Sequence, residues 1–184
     1  MHHCRGLILA GGLSSRMGSD KAALRRNHQT MEDFNRELLA ALGLDVVVAG
    51  GASGIRDLIP GAGPLAAIYS VLQSVQPSAL LVLPVDMPLL TTSVLRVLLE
   101  EGEEAGVPVC YDDCYLPLYL PVTQALRDYL DKVFTEGCDQ PRSLKRMLAA
   151  MNGRQLPITD TNALLNANTP EEWQRVMQML GDVH

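Results

Sequence analysis

Three features of the sequence predict an α/β fold built on a mostly parallel sheet with helices on both faces. Strand and helix signals alternate through the first hundred residues, the strands are apolar on both faces, and a glycine- and serine-rich loop directly follows the first strand. The 184 residues, 47% of them hydrophobic, can fill one core of ordinary size, so 1–184 is taken as a single domain.

The elements follow in order. Residues 5–10 (RGLILA) form a short buried strand that Gly11 and Gly12 close. Thr30 and Asp33 make a capping signal for a helix that carries Met31, Phe34, Leu38 and Leu42 at helical spacing. Residues 45–49 (DVVVA) give a second strand ended by Gly50 and Gly51, and residues 56–59 a short third. Pro64 suits the first position of a helix, where a backbone N–H has no partner, and Leu65, Ile68, Leu72 and Val75 form its stripe. Residues 79–85 (ALLVLPV) are the most hydrophobic strand, and Thr92 or Ser93 caps the helix bearing Leu95, Leu98 and Leu99.

The second half is less regular. Residues 107–111 and 115–120 pair as a hairpin around Asp112 and Asp113. Thr123 caps a helix with Leu126, Tyr129, Leu130 and Val133 inward; residues 143–151 give another helix and 155–159 a strand. Thr169, Pro170, Glu171 and Glu172 open the last helix: a cap, a proline at the first position and acids in the first turn. Trp173, Val176, Met177 and Leu180 give it a buried face.

Composition narrows the function. A net charge of −6 argues against an extended nucleic-acid surface, which needs clustered Lys and Arg. The apolar run at the N-terminus is too short for a signal-peptide core, and no later run approaches a membrane span, so a cytoplasmic protein without membrane attachment is expected. Cys110 and Cys114 have three residues between them rather than two, and the four histidines are scattered, so no zinc or redox motif stands out.

The chemistry sits in the loop after the first strand. Gly11, Gly12, Ser14, Ser15 and Gly18 let the backbone approach a ligand and present N–H groups to oxyanions, while Arg16 and Lys21 add positive charge. The pattern is neither G-x-G-x-x-G nor the Walker loop. On these grounds alone two readings stay open: an anion-binding loop at the carboxyl end of a strand, and a glycine-rich turn with two solvated cations. Asp86, after the most hydrophobic strand, reads on residue type alone as the cap of a turn, with a ligand at the carboxyl end of the strand as the alternative. Arg25 and Arg26 read as a solvated pair, with an acceptor site as the alternative.

The stretch LAGGLSSRMGSDK, residues 9–21, resembles the signature L-A-G-G-x-S-x-R-M-G-x-x-K of the molybdenum cofactor guanylyltransferases and their relatives. Gly63-Pro64-Leu65-Ala66-Ala67 resembles that family's G-P-L-A-G, Pro84-Val85-Asp86-Met87-Pro88 its P-x-D-x-P, and the segment from Asn166 to Glu171 its N-x-N-T-P-E. The resemblance implies a Rossmann-like three-layer sandwich of the nucleotide-diphospho-sugar transferase type. It places Arg16, Gly18 and Lys21 on the triphosphate and Leu9, Ala10, Gly11 and Gly12 beside base and ribose. Asp57, Gly63 and Pro64 join the nucleotide pocket, and Asp86 holds Mg2+, making Arg16, Lys21 and Asp86 the catalytic set. Asn166, Asn168 and Arg142 fall on the side of the acceptor.

The implied reaction is magnesium-dependent transfer of GMP from GTP to the molybdopterin cofactor, releasing pyrophosphate. Alternatives are a CTP-using relative, another phosphorylated acceptor, and a nucleotide-binding regulator without turnover. Implied partners are GTP or CTP, the molybdopterin cofactor, and transient contacts with other cofactor-biosynthesis or acceptor proteins. The sequence departs from the family pattern at Ala67, where a glycine is usual; if that glycine lets the base approach the backbone, the extra methyl would alter nucleotide preference or weaken binding. It departs again in residues 22–29 (AALRRNHQ), which lack the usual apolar strand and glycine-containing turn.

Overall fold

Strand β1 (Cys4–Leu9) sends successive side chains to opposite faces of a sheet, and apart from Arg5 at its start both sets are apolar. Cys4 and Ile8 join one buried cluster, Leu7 and Leu9 the other. The computed structural model describes residues 4–11, 24–26, 28–51, 53–135 and 142–181. A two-stranded hairpin, β2 (Arg25–Arg26) and β3 (Gln29–Thr30), leads into helix α1 (Met31–Ala40). Strand β4 (Asp45–Ala49), helix α2 (Pro64–Ser74), strand β5 (Ala79–Pro84) and helix α3 (Thr92–Ala105) follow. Then come β6 (Val109–Tyr111), β7 (Cys114–Pro121), α4 (Gln124–Thr135), α5 (Leu144–Ala150), β8 (Arg154–Leu156), a 3-10 turn (Thr161–Leu164) and α6 (Pro170–Gly181).

The main sheet has the order β4-β1-β5-β7-β6-β8. Its β1–β4, β1–β5 and β6–β8 pairs are parallel, and only β7 runs against its neighbours. Side chains of α1, α3 and α6 pack on one face and those of α2, α4 and α5 on the other, which makes three layers. Leu81 and Leu83 of β5 face the first cluster, Leu80 and Val82 the second, and all four are fully buried. Each such side chain contributes about 1.5–3 kcal/mol of transfer free energy. None of the described helices is long and apolar enough to cross a membrane.

Most elements lie where the sequence predicts them, and the departures have local causes. Residues 56–59 form no strand. Ile55 makes a single bridge to Ala49, and the Leu58 amide then donates to Ser70 Oγ (2.9 Å) on α2 instead of to a neighbouring strand. Helix α3 is capped by Thr91 rather than Thr92 or Ser93, its Oγ1 accepting from the Val94 amide at 3.3 Å. Strand β8 stops at Leu156 because its partner β6 is itself three residues long. The Thr30 cap of α1 is as expected, with Oγ1 accepting from the Asp33 amide at 3.1 Å.

Candidate active site

Strands β4, β1 and β5 are parallel and adjacent, so their carboxyl ends share one edge of the sheet, with Leu9 opposite both Ala49 and Pro84. The chain runs from β1 to β4 on one side and returns through α2 to β5 on the other, and open α/β sheets bind ligands where the strand order reverses in this way. Ala10 and Gly11 both donate their amides to Ala49 O, at 2.9 and 3.0 Å, which bends the chain over the end of β4. Gly50 forms the floor under this bend: its φ is +77°, and a Cβ there would collide with the backbone of Gly11. Sequence reading treats Gly50 only as the end of a strand. The Gly-Gly pair is its signal, and the need for close backbone approach is visible only in three dimensions.

The remaining nucleotide candidates divide. Leu9 and Ala10 are buried at the end of β1, with Gly11 beyond them. Gly12, Arg16, Gly18 and Lys21 lie outside the described residues. Asp57 reaches the same edge, its Oδ2 3.7 Å from where a Cβ on Gly11 would stand. Its Oδ1 is buried with no hydrogen-bond partner, and burial pushes its carboxyl above the ordinary aspartate range. Gly63 precedes α2 with φ +81°, and Pro64 opens that helix. Ala67 turns inward: it is buried in the same cluster as Leu9 and Ala49, so its methyl belongs to the core beneath the edge.

Asp86 stands two residues past the end of β5, half-buried in a turn. Three alternate carbonyls around it are taken by distant parts of the chain. Pro84 O accepts from Asn35 Nδ2 (3.3 Å), Asp86 O from the Ala167 amide (2.8 Å), and Pro88 O from Arg26 Nε (2.7 Å). The second of these bonds brings the segment containing Asn166 and Asn168 to the Asp86 turn. Asn168 is further held by its amide, which donates to Glu172 Oε2 at 2.7 Å. Arg142 lies in the helical layer formed by α2 and α4. Its guanidinium is 5.3 Å from the ring centroid of Phe134, which itself stacks on Tyr69 at 4.9 Å.

Arg26 is not a solvated cation. It is half-buried, donates to Pro88 O and lies 4.2 Å from the centroid of the Phe34 ring; burial works against its charge while Glu37 favours it. Arg25 is exposed and donates to His28 O at 3.0 Å across the hairpin turn. Residues 25–30 thus make the hairpin that the composition of 22–29 does not suggest, with His28 at φ +73° in the turn. Asn35 was also missed, although it sits on the stripe of Met31, Phe34 and Leu38, where a polar residue is a signal in itself. It is fully buried, and its Oδ1 has no partner.

Among the described residues no three His, Cys, Asp or Glu side chains gather into a metal cluster. The Asp86 carboxylate suits Mg2+, which binds through one or two carboxylates, waters and substrate phosphates rather than an all-protein cage. Cys4, Cys110 and Cys114 are free thiols, and burial pushes the first two up to about 12 and about 11.

Residues 6–155 match the MobA-like NTP transferase domain family. A molybdenum cofactor guanylyltransferase from Xanthomonas euvesicatoria is 34% identical over 179 residues, covering 94% of this chain and 93% of that protein. One from Sinorhizobium fredii is 32% identical, covering 96% and 92%. Among solved structures, a nucleotidyl transferase from Methanothermobacter superposes with a TM-score of 0.74 at 18% identity, covering 98% of this chain and 99% of that one. Molybdopterin-guanine dinucleotide biosynthesis protein A from Archaeoglobus fulgidus gives 0.69 at 20% identity, covering 97% and 100%. The fold is therefore the α/β fold of these nucleotidyltransferases.

Proposed function

Since the chain belongs to the MobA-like NTP transferases, and among them to the molybdenum cofactor guanylyltransferases, we propose that it transfers GMP from GTP to the molybdopterin cofactor. A phosphate oxygen of the acceptor attacks the α-phosphorus, the bond from that phosphorus to the bridging oxygen of the β-phosphate breaks, and pyrophosphate leaves. Both reactants are anions, so positioning and charge neutralisation carry the catalysis and no protein nucleophile is required. The observation that carries this reading is the meeting of the Leu9–Gly11 bend, Asp57, Asp86 and the Asn166–Asn168 segment at one edge of the sheet.

Asp57 supports guanine as the base. Guanine offers two adjacent donors, N1–H and the 2-amino group, which one carboxylate accepts together. Cytosine would set a ring-nitrogen acceptor against that carboxylate. A buried oxygen with no partner is costly until such a donor arrives, and that cost gives a polar site its selectivity.

Asp86 would hold Mg2+, which supplies Lewis-acid polarisation of the phosphates when bound. Arg16 and Lys21 would neutralise charge on the departing pyrophosphate, with Gly12 and Gly18 letting the backbone close on it. Gly63 and Pro64 would border the nucleotide at the start of α2, and Asn166, Asn168 and Arg142 would meet the acceptor. On this reading the protein would work in the cytoplasm, with other proteins of cofactor synthesis as transient partners. Pyrophosphate release, measured with each nucleoside triphosphate, Mg2+ and the molybdenum-loaded acceptor, tests the proposal. Turnover with GTP is expected, CTP-only turnover would overturn the base assignment, and nucleotide binding without product would overturn the reaction.

A further inference from the structure

Within the Asp86 turn Leu90 N donates to Met87 O at 3.3 Å, and the carbonyls of residues 84, 86 and 88 each accept from outside it. Two of the three outside donors, Arg26 and Asn35, belong to one unit, the hairpin and α1, and the Leu24 carbonyl joins that unit by accepting from the Met31 amide at 2.9 Å. The bond from Arg26 spans 62 residues of sequence, is charge-assisted, and is held in line by the Phe34 ring beneath the guanidinium.

We infer that Arg26 is a positioning residue: by tying Pro88 to the hairpin it fixes the turn that carries Asp86, and so the place of the metal that Asp86 binds. Arg26 itself touches neither metal nor phosphate in this role. The inference rests on the reading of Asp86 as the metal ligand. Its force comes from geometry, because a group displaced by about 1 Å at a phosphoryl-transfer centre costs on the order of a hundredfold in rate. Residues that hold a metal ligand in place typically cost about 10- to 100-fold in metal affinity or activity when removed. The guanidinium suits this role better than an ammonium because its planar fork can donate to the carbonyl and lie on a ring at once.

The test uses the full chain, Mn2+ as the metal probe and α,β-methylene-GTP as a nucleotide that cannot turn over. Free Mn2+ is followed by electron paramagnetic resonance. Arg26→Ala should weaken Mn2+ binding to the protein–nucleotide complex about tenfold and lower kcat by a similar factor. Binding of the analogue in EDTA should stay within about twofold. Arg26→Lys, which keeps a cation but cannot donate to Pro88 O and lie on the Phe34 ring at once, should recover only part of the loss; Phe34→Leu should give a smaller shift in the same direction. These two variants carry the test if Arg26→Ala does not fold. Asp86→Ala separates the two ideas. If it abolishes Mn2+ binding while the Arg26 and Phe34 variants bind normally, the positioning role is wrong and the metal ligand stands. If it binds Mn2+ normally, the metal ligand is wrong and the positioning role falls with it. Equal losses with and without metal would also overturn the positioning role.

Discussion

The proposed base recognition rests on Asp57, and the bend of the chain over β4 rests on Gly50. Replacing the carboxylate in Asp57→Asn leaves one acceptor and adds a donor, a match for xanthine's 2-oxo group and a mismatch for guanine. The kcat/KM for GTP should fall about 10²-fold or more while XTP gains relative to it, read from pyrophosphate release with both nucleotides. Acid should act at the same atom. Burial raises the Asp57 carboxyl, and base recognition needs it ionised, so GTP affinity should decline as pH falls through that raised value. Asp57→Asn should remove that step from the pH profile. In the free protein the sign is opposite. The folded state holds this proton more tightly than the unfolded chain, so the associated stability is present at low pH and lost as pH rises through the folded pKa. Gly50→Ala is expected to cost more than about 1 kcal/mol in denaturant unfolding, from the positive φ together with the collision with Gly11. An unchanged midpoint would mean that the bend has another support. Neither effect follows from residue type alone. Asp57 became a candidate through the family resemblance, and the role of Gly50 depends on a chain segment forty residues away.

Elements were legible where their signals are local. Short runs apolar on both faces located β1, β4 and β5, helical stripes located α1, α2 and α4, and Thr-Pro-Glu-Glu located the start of α6. What the sequence hid was long-range. The strand expected at residues 56–59 lost its amide to a serine on a helix, and the Arg25–Thr30 hairpin stands without a glycine in its turn. At the start of α6 the Glu172 carboxylate accepts from the amides of Asn168 and Thr169, while Thr169 Oγ1 accepts from the Glu172 amide at 3.2 Å, a reciprocal cap. Glu172→Ala should therefore cost about 1 kcal/mol of stability by denaturant titration. It should also raise KM for the acceptor more than for GTP, because the same carboxylate holds the Asn168 backbone. Equal changes in both KM values would detach Asn168 from the acceptor side.

Over the whole molecule, the sheet explains why the candidate site residues gather at one edge. Three parallel strands end together at that edge, while the antiparallel β7 brings the second half of the chain back alongside β5 and leaves β6 and β8 to complete the sheet. The sequence predicted this architecture from apolar strands and a helical second layer, but strand order is not encoded in local pattern, and the return of the last segment to the site was implied only by the family resemblance. That return rests on the bond from the Ala167 amide to Asp86 O, and it carries a kinetic signature. Ala167 is fully buried in an irregular stretch between a 3-10 turn and α6, where amides ordinarily exchange with solvent within seconds to minutes. Its amide deuterium should instead exchange on the timescale of the β5 core. In Arg26→Ala the rate should rise without a matching rise in β1. Fast exchange at Ala167 in the unaltered protein would mean that the carboxyl-terminal segment visits the Asp86 turn only transiently. One slow amide far from any strand would thus report, by isotope alone, whether the two halves of the chain are closed on each other.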